Sequence, residues 1–167
     1  ADKRGVNPTP ITPGMFGYSL LRMGDQRGFF NALMDEMAAF GVPIEGLHTE
    51  TGPGVYEAAI AFSGALESAD RAILFKTGAK EIAAQEGKAL TFMAKYNERE
   101  GNSCHVHLSF RGLDGSLVMT DESDVEHGMS DAGRAFIAGQ LAHMKELSLM
   151  FAPNINSYKR FAPGSFA

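Results

Sequence analysis

Residues 44–57, IEGLHTETGPGVYE, decide how this chain is read. Alternating apolar and polar side chains run from Pro43 to Thr49 and again from Val55 to Phe62, with Gly52-Pro53-Gly54 between them. Alternation of period two marks strands and a Gly-Pro-Gly cluster marks a turn, so a β-hairpin is expected. Glu50 and Glu57 flank that turn and can approach each other across it; Glu45 lies upstream and His48 sits between. Carboxylates held this close repel one another unless a proton or a cation neutralises them. Their oxygens suit Mg²⁺ or Mn²⁺. The bland alternative is a solvated acidic face, but Val42, Ile44, Leu47, Val55 and Ile60 mark half-buried strands.

Upstream of the hairpin, Pro8, Pro10 and Pro13 predict an extended or irregular start. Residues 15–23, MFGYSLLRM, read as a short strand or binding loop. Phe29, Phe30, Leu33, Met37 and Phe40 recur at helical spacing, predicting a helix over 27–40 that ends at Gly41 and Pro43. A longer helix is expected over 63–87, with Leu66, Ala69, Ile73, Leu74 and Ala79 inward and Gly87 as its C-terminal cap. Gly78 is the weak point of that assignment, because glycine costs about 1 kcal/mol inside a helix. Residues 89–95 and 103–110 read as strands, and 112–118 as a hairpin turning at Asp114-Gly115. An acidic loop, 119–129, leads to Ser130, which should cap a helix from Asp131 to about Phe151. That helix should turn Phe136, Ile137, Leu141, Met144 and Leu147 inward. Helices and hairpins interleave without a regular βα rhythm. The expected class is therefore α+β, an antiparallel sheet with packed helices.

Composition narrows the function classes. At 167 residues and 44% hydrophobic, the chain can bury a core. A net charge of −5 argues against an electrostatically driven nucleic-acid binder. No apolar run reaches the roughly 18 residues of a membrane span, and the N-terminus lacks an apolar signal core. Cys104 is the single cysteine, which fits a reducing, cytoplasmic setting. A motif-dense stretch runs to the last residues, so the chain is expected to be a piece of a longer protein.

Other constellations carry chemistry more weakly. In His105-Val106-His107, a strand would turn both imidazoles to one face, where they could serve a metal or phosphate, or be satisfied structurally. Tyr158-Lys159-Arg160 offers cations for carboxylate or phosphate. Cys104 and His105 would face opposite ways on a strand, so a Cys–His nucleophile is set aside. His127 and His143 read as loop and helix-surface residues. The Gly-Pro-Gly turn is not a phosphate loop, since no Gly-x-x-x-x-Gly-Lys-Ser/Thr pattern is present.

Three segments in order, IEGLHTETGPGVYE, FMAKYNEREGNSCHVHLS and NINSYKRFAPGSFA, resemble the catalytic domain of the glutamine synthetase family. The similarity covers nearly the whole chain from about Gly17 and implies a partial catalytic domain over 1–167. The family's N-terminal β-grasp domain and the C-terminal part of the catalytic domain would lie outside it. The short Glu-to-Glu spacing and the PGSFA segment look closest to γ-glutamyl-amine ligases such as gamma-glutamylputrescine and gamma-glutamylmethylamide synthetases. The resemblance implies that Glu50 and Glu57 hold one divalent metal and His105 a second. It likewise implies that Glu45, His107 and Ser109 line ATP, that Gly101 meets glutamate and that Arg160 pairs with its carboxylate. ATP would phosphorylate the γ-carboxylate of glutamate, and an amine would displace the phosphate. No residue of this chain is assigned as catalytic, and the fragment alone is expected to be inactive. Its partners would be glutamate, ATP and an amine, with no nucleic acid or membrane, in a ring-forming homo-oligomer.

Departures from the family pattern sharpen the expectation. Ammonia-using members carry a glutamate shortly after the Pro-Gly that here is Pro163-Gly164; Ser165-Phe166 follow instead, which argues against plain glutamine synthesis. Glu100 stands where asparagine is frequent, and Asn102-Ser103 replace a small Ser-Gly pair. Two alternatives stay open: a non-catalytic scaffold or regulator of the same fold, and an unrelated metal-dependent hydrolase. The first has no need of Glu50, Glu57, His105 and Arg160 together, and the second leaves the NSYKR segment unexplained.

Overall fold

The computed structural model describes residues 8–162, in two compact units, Ala1–Asn102 and Ser103–Ala167. In the first unit, α1 (Leu20–Asp25) and α2 (Arg27–Ala39) precede β1 (Ile44–Thr49), β2 (Tyr56–Ile60) and α3 (Ala65–Gln85). β1 and β2 form a two-stranded antiparallel sheet, so the class is α+β as expected.

The sheet exists because α2 covers one of its faces. Phe29, Phe30, Leu33 and Met37 form the buried stripe of α2 and pack with Val42, Ile44, Ala79, Ile82 and Ala83. Full burial of each large side chain stabilises by roughly 1.5–3 kcal/mol. Phe30 reaches the sheet directly, with its ring 4.6 Å from that of Tyr56. Phe40, expected inward, is exposed, because it sits past the last helical turn as the C-cap of α2.

On α3 the inward set shifts toward the C-terminus. Ala79, Ile82 and Ala83 are buried, whereas Leu66, Ile73 and Leu74 are exposed. Length explains this: at 1.5 Å per residue α3 spans about 32 Å and α2 only about 20 Å, so the early turns of α3 extend beyond their partner. Gly78 has a packing reason, since a Cβ there would lie 2.3 Å from Met37 Cε. The helix ends in a Schellman motif: Gly87 adopts φ +66°, its N–H donates to Ala84 O, and Lys88 N–H donates to Ala83 O.

Two expected strands are absent, and one segment changes type. Residues 89–95 and 103–110 join no ladder among the described residues, because a strand is a pairing and neither finds a partner strand there. One backbone bond, Asn102 N–H to Ala94 O, ties the first of them down. Part of 15–23 is helical rather than strand: Ser19 caps α1 by accepting from Arg22 N–H.

In the second unit, α4 (Asp131–Ala142) and α5 (Met144–Phe151) replace the single expected helix, and a short α6 (Ile155–Tyr158) follows them. The break falls at His143, whose φ −109° and ψ 13° leave the helical region. Ile137, Leu141 and Met144 are exposed rather than inward; the unit's packing is sparse, and Phe136 meets Phe110 edge-on at 4.8 Å. The Asp114-Gly115 turn forms as expected, with Gly112 N–H donating to Ser116 O and Arg111 bridging Leu117. The acidic loop serves its own backbone: Asp124 accepts from Met129 N–H and pairs with Arg134. These bonds hold the Asp124 carboxyl below the usual range, the Met129 amide foremost.

Two glycines of α4 test this description against each other. A Cβ at Gly133 would lie 2.6 Å from Met119 O, whereas one at Gly139 would meet nothing within 4 Å. Gly139→Ala is expected to raise stability by about 0.5–1 kcal/mol in urea unfolding. Gly133→Ala is expected to lower it by about 1–3 kcal/mol despite the same gain in helix propensity.

Candidate functional site

The hairpin register builds the site. β1 pairs with β2 so that Thr49 lies opposite Tyr56 and His48 opposite Glu57. Beyond them Glu50 N–H donates to Val55 O at 2.9 Å, closing a loop of residues 51–54. Gly54 sits in that loop at φ +71°, a conformation glycine adopts without the Cβ penalty. The Pro-rich start packs on the loop, with Thr12 Oγ1 accepting from Gly54 N–H at 3.2 Å.

Side-chain alternation then sorts the residues by face. Thr49 turns inward and is buried. His48 and Glu50, two residues apart, share the opposite face with Glu57. His48 Nδ1 lies 3.4 Å from Glu50 Oε1, and Nε2 lies 3.9 Å from Glu57 Oε1. One donor atom from each of the three lies within 4.8 Å of the others, and all three side chains are half-buried.

This donor set fits a divalent cation. Two carboxylates and one imidazole supply two negative charges and a neutral nitrogen. Bonds of about 2.1 Å put opposite donors about 4.2 Å apart, so the observed spacing needs only small side-chain adjustments. Glu50 and Glu57 are the expected metal ligands, and His48 joins them. The signal was present: a loop of 51–54 makes positions 48 and 57 directly opposed.

The remaining named residues fall in three places. Glu45 is the extra residue of a β-bulge between Ile44 and Gly46, outside the regular alternation. It lines a groove of about 410 Å³ with Arg27, Asn31 and Met34. Gly101 follows a loop in which Asn97 Oδ1 accepts from the N–H groups of Arg99 and Glu100. That loop abuts the hairpin turn, since a Cβ at Gly52 would lie 2.9 Å from Glu100 Cγ. The second unit carries His105, His107 and Ser109, all exposed on an unpaired segment, with Ser103 Oγ 3.3 Å from His105 Nε2. Arg160 is half-buried just after α6. Pro163 to Ala167, which carry the Ser165-Phe166 departure, lie outside the described residues.

Residues 8–167 match the glutamine synthetase catalytic domain. This chain belongs to the glutamine synthetase family. It is 54% identical to Type-1 glutamine synthetase 2 of Dictyostelium discoideum, covering 99% of this chain and 32% of that protein. It is 49% identical to a gamma-glutamylethanolamide synthetase of Streptomyces coelicolor, covering 100% of this chain and 35% of that protein. A solved GmaS–ADP complex superposes with a TM-score of 0.84 at 29% identity, over 98% of this chain and 38% of that one. The chain thus spans about a third of the length of the curated relatives it matches. No helix among the described residues is long and apolar enough to cross a membrane.

If the hairpin cluster binds a cation through all three groups, His48→Ala weakens Mn²⁺ affinity by about tenfold or more in a titration followed by electron paramagnetic resonance. An unchanged affinity would remove His48 from the centre.

Proposed function

We propose that this chain supplies the central part of the catalytic domain of an ATP-dependent ligase. The ligase joins the γ-carboxylate of glutamate to ammonia or a small amine through γ-glutamyl phosphate. The observation that carries the reading is the His48–Glu50–Glu57 cluster, formed by a hairpin in a member of the glutamine synthetase family. The relatives' names include both glutamine synthetase and glutamate–amine ligases, so the acceptor class spans ammonia and alkylamines.

In this reading a γ-carboxylate oxygen of glutamate attacks the terminal phosphorus of ATP and ADP leaves. The amine nitrogen then attacks the acyl carbon, inorganic phosphate leaves, and the nitrogen loses a proton. A bound Mg²⁺ or Mn²⁺ would neutralise negative charge on carboxylate and phosphate oxygens as they approach. His48, Glu50 and Glu57 would hold that ion on the open face of the hairpin, with the covered face anchored on α2. His105 would serve the second ion. Glu45 would meet the nucleotide from its groove, where Arg27 and Asn31 add donors. His107 and Ser109 would contribute further nucleotide contacts.

The loop ending at Gly101 would present backbone to glutamate. Its contact with Gly52 ties glutamate placement to the turn that sets Glu50 and Glu57. Arg160 would pair its planar fork with the substrate carboxylate. The Ser165-Phe166 departure favours an alkylamine over ammonia as acceptor. The whole protein would work in the cytoplasm as a ring-shaped homo-oligomer.

The test is phosphate release by the full-length protein with glutamate and MgATP, comparing ammonia, methylamine, isopropylamine, ethanolamine and putrescine. Amine-dependent release is expected, lowered about 100-fold or more by Glu57→Gln, since a metal ligand is lost where charge develops. No release with any acceptor would overturn the ligase reading in favour of a non-catalytic relative.

A further inference from the structure

Tyr18 is the one non-glycine residue with positive φ among the described residues, at +55°. A tyrosine in the left-handed region is disfavoured and persists only where its surroundings hold it. Here they do so from both sides. Tyr18 N–H donates to Thr49 O at 2.7 Å, and Ser19 N–H donates to Thr49 Oγ1 at 2.8 Å. Gly17 closes on Thr51, whose Oγ1 would stand 3.3 Å from a Cβ at that position.

The result is that residues 18 and 19 straddle the end of β1. Ser19 goes to the inward face through Thr49. Tyr18 goes to the open face, where its ring stacks on His48 with centroids 4.5 Å apart and planes at 25°. Tyr18 is 71% exposed, so core packing within this chain does not account for its placement. Its ordered contact is the imidazole whose two nitrogens face Glu50 and Glu57.

We propose that Tyr18 is a positioning residue for the cation centre, its strained backbone holding the ring against His48 so that the imidazole is pre-set between the two carboxylates. The proposal rests on the reading of that cluster as a metal centre. It assigns the strain a purpose: a free histidine rotamer must be ordered when the cation binds, whereas a stacked one is already in place.

The test is Mn²⁺ titration of the full-length protein, following the site that Glu57→Gln weakens. Glycine accepts positive φ, so Tyr18→Gly is expected to melt no lower than the parent protein while binding Mn²⁺ about 2- to 12-fold more weakly, the range of a lost ring–ring contact. Tyr18→Phe, which keeps the ring, is expected to bind as the parent does. In a His48→Ala background, Tyr18→Gly is expected to add no further loss. An unchanged affinity in Tyr18→Gly, or the same additional loss without His48, would overturn the positioning role while leaving the metal centre standing. An unchanged affinity in Glu57→Gln would sink both.

Discussion

The pairing of β1 with β2 across residues 51–54 is the constraint on which the rest depends. Side chains alternate along a strand, so a one-residue slip would send Glu57 to the face that packs on α2. It would also leave His48 opposite an alanine or a tyrosine. The register is held by three independent means. The loop length closes Glu50 on Val55, the glycine at 54 permits the turn, and Leu47, Tyr56 and Ala58 are drawn to the helix-facing side. The acidic face is thus a consequence of where the apolar face must go.

What the hairpin needs from its surroundings explains the first unit. Two strands alone are marginal in water, and a packed helix is required to fix them. α2 meets that need with a continuous aromatic and aliphatic stripe, and Gly78 lets α3 approach Met37 closely. The segments on either side then converge on the turn: residues 8–13 through Thr12 and Pro10, residues 17–19 through Thr49 and Thr51, and residues 97–101 through Glu100. Strain at Tyr18 is tolerated at this convergence because backbone hydrogen bonds on a buried threonine hold it.

Much of this was legible in the residues. Periodicity placed α2, the hairpin and α3, and the motifs placed the family, because both signals are local in sequence. The failures are non-local. Residues 89–95 and 103–110 have strand composition, yet a ladder depends on a partner elsewhere. Leu66, Ile73 and Leu74 have an inward helical phase, but whether a phase is covered depends on the length of the neighbour. The place of His48 follows from register, which sets it directly across from Glu57 and is not carried by the Glu50–Glu57 spacing alone. Tyr18 carries no sequence signal, since its positive φ goes with contacts to Thr49, a residue 31 positions along the chain.

One hairpin brings an imidazole and two carboxylates within reach of a single cation. The most direct measurement is an anomalous-difference map from crystals of the full-length protein grown with Mn²⁺. The expected result is a peak about 2.1–2.3 Å from His48, Glu50 and Glu57 together. A peak on the two carboxylates with the imidazole turned away, or no peak at the hairpin, would contradict it.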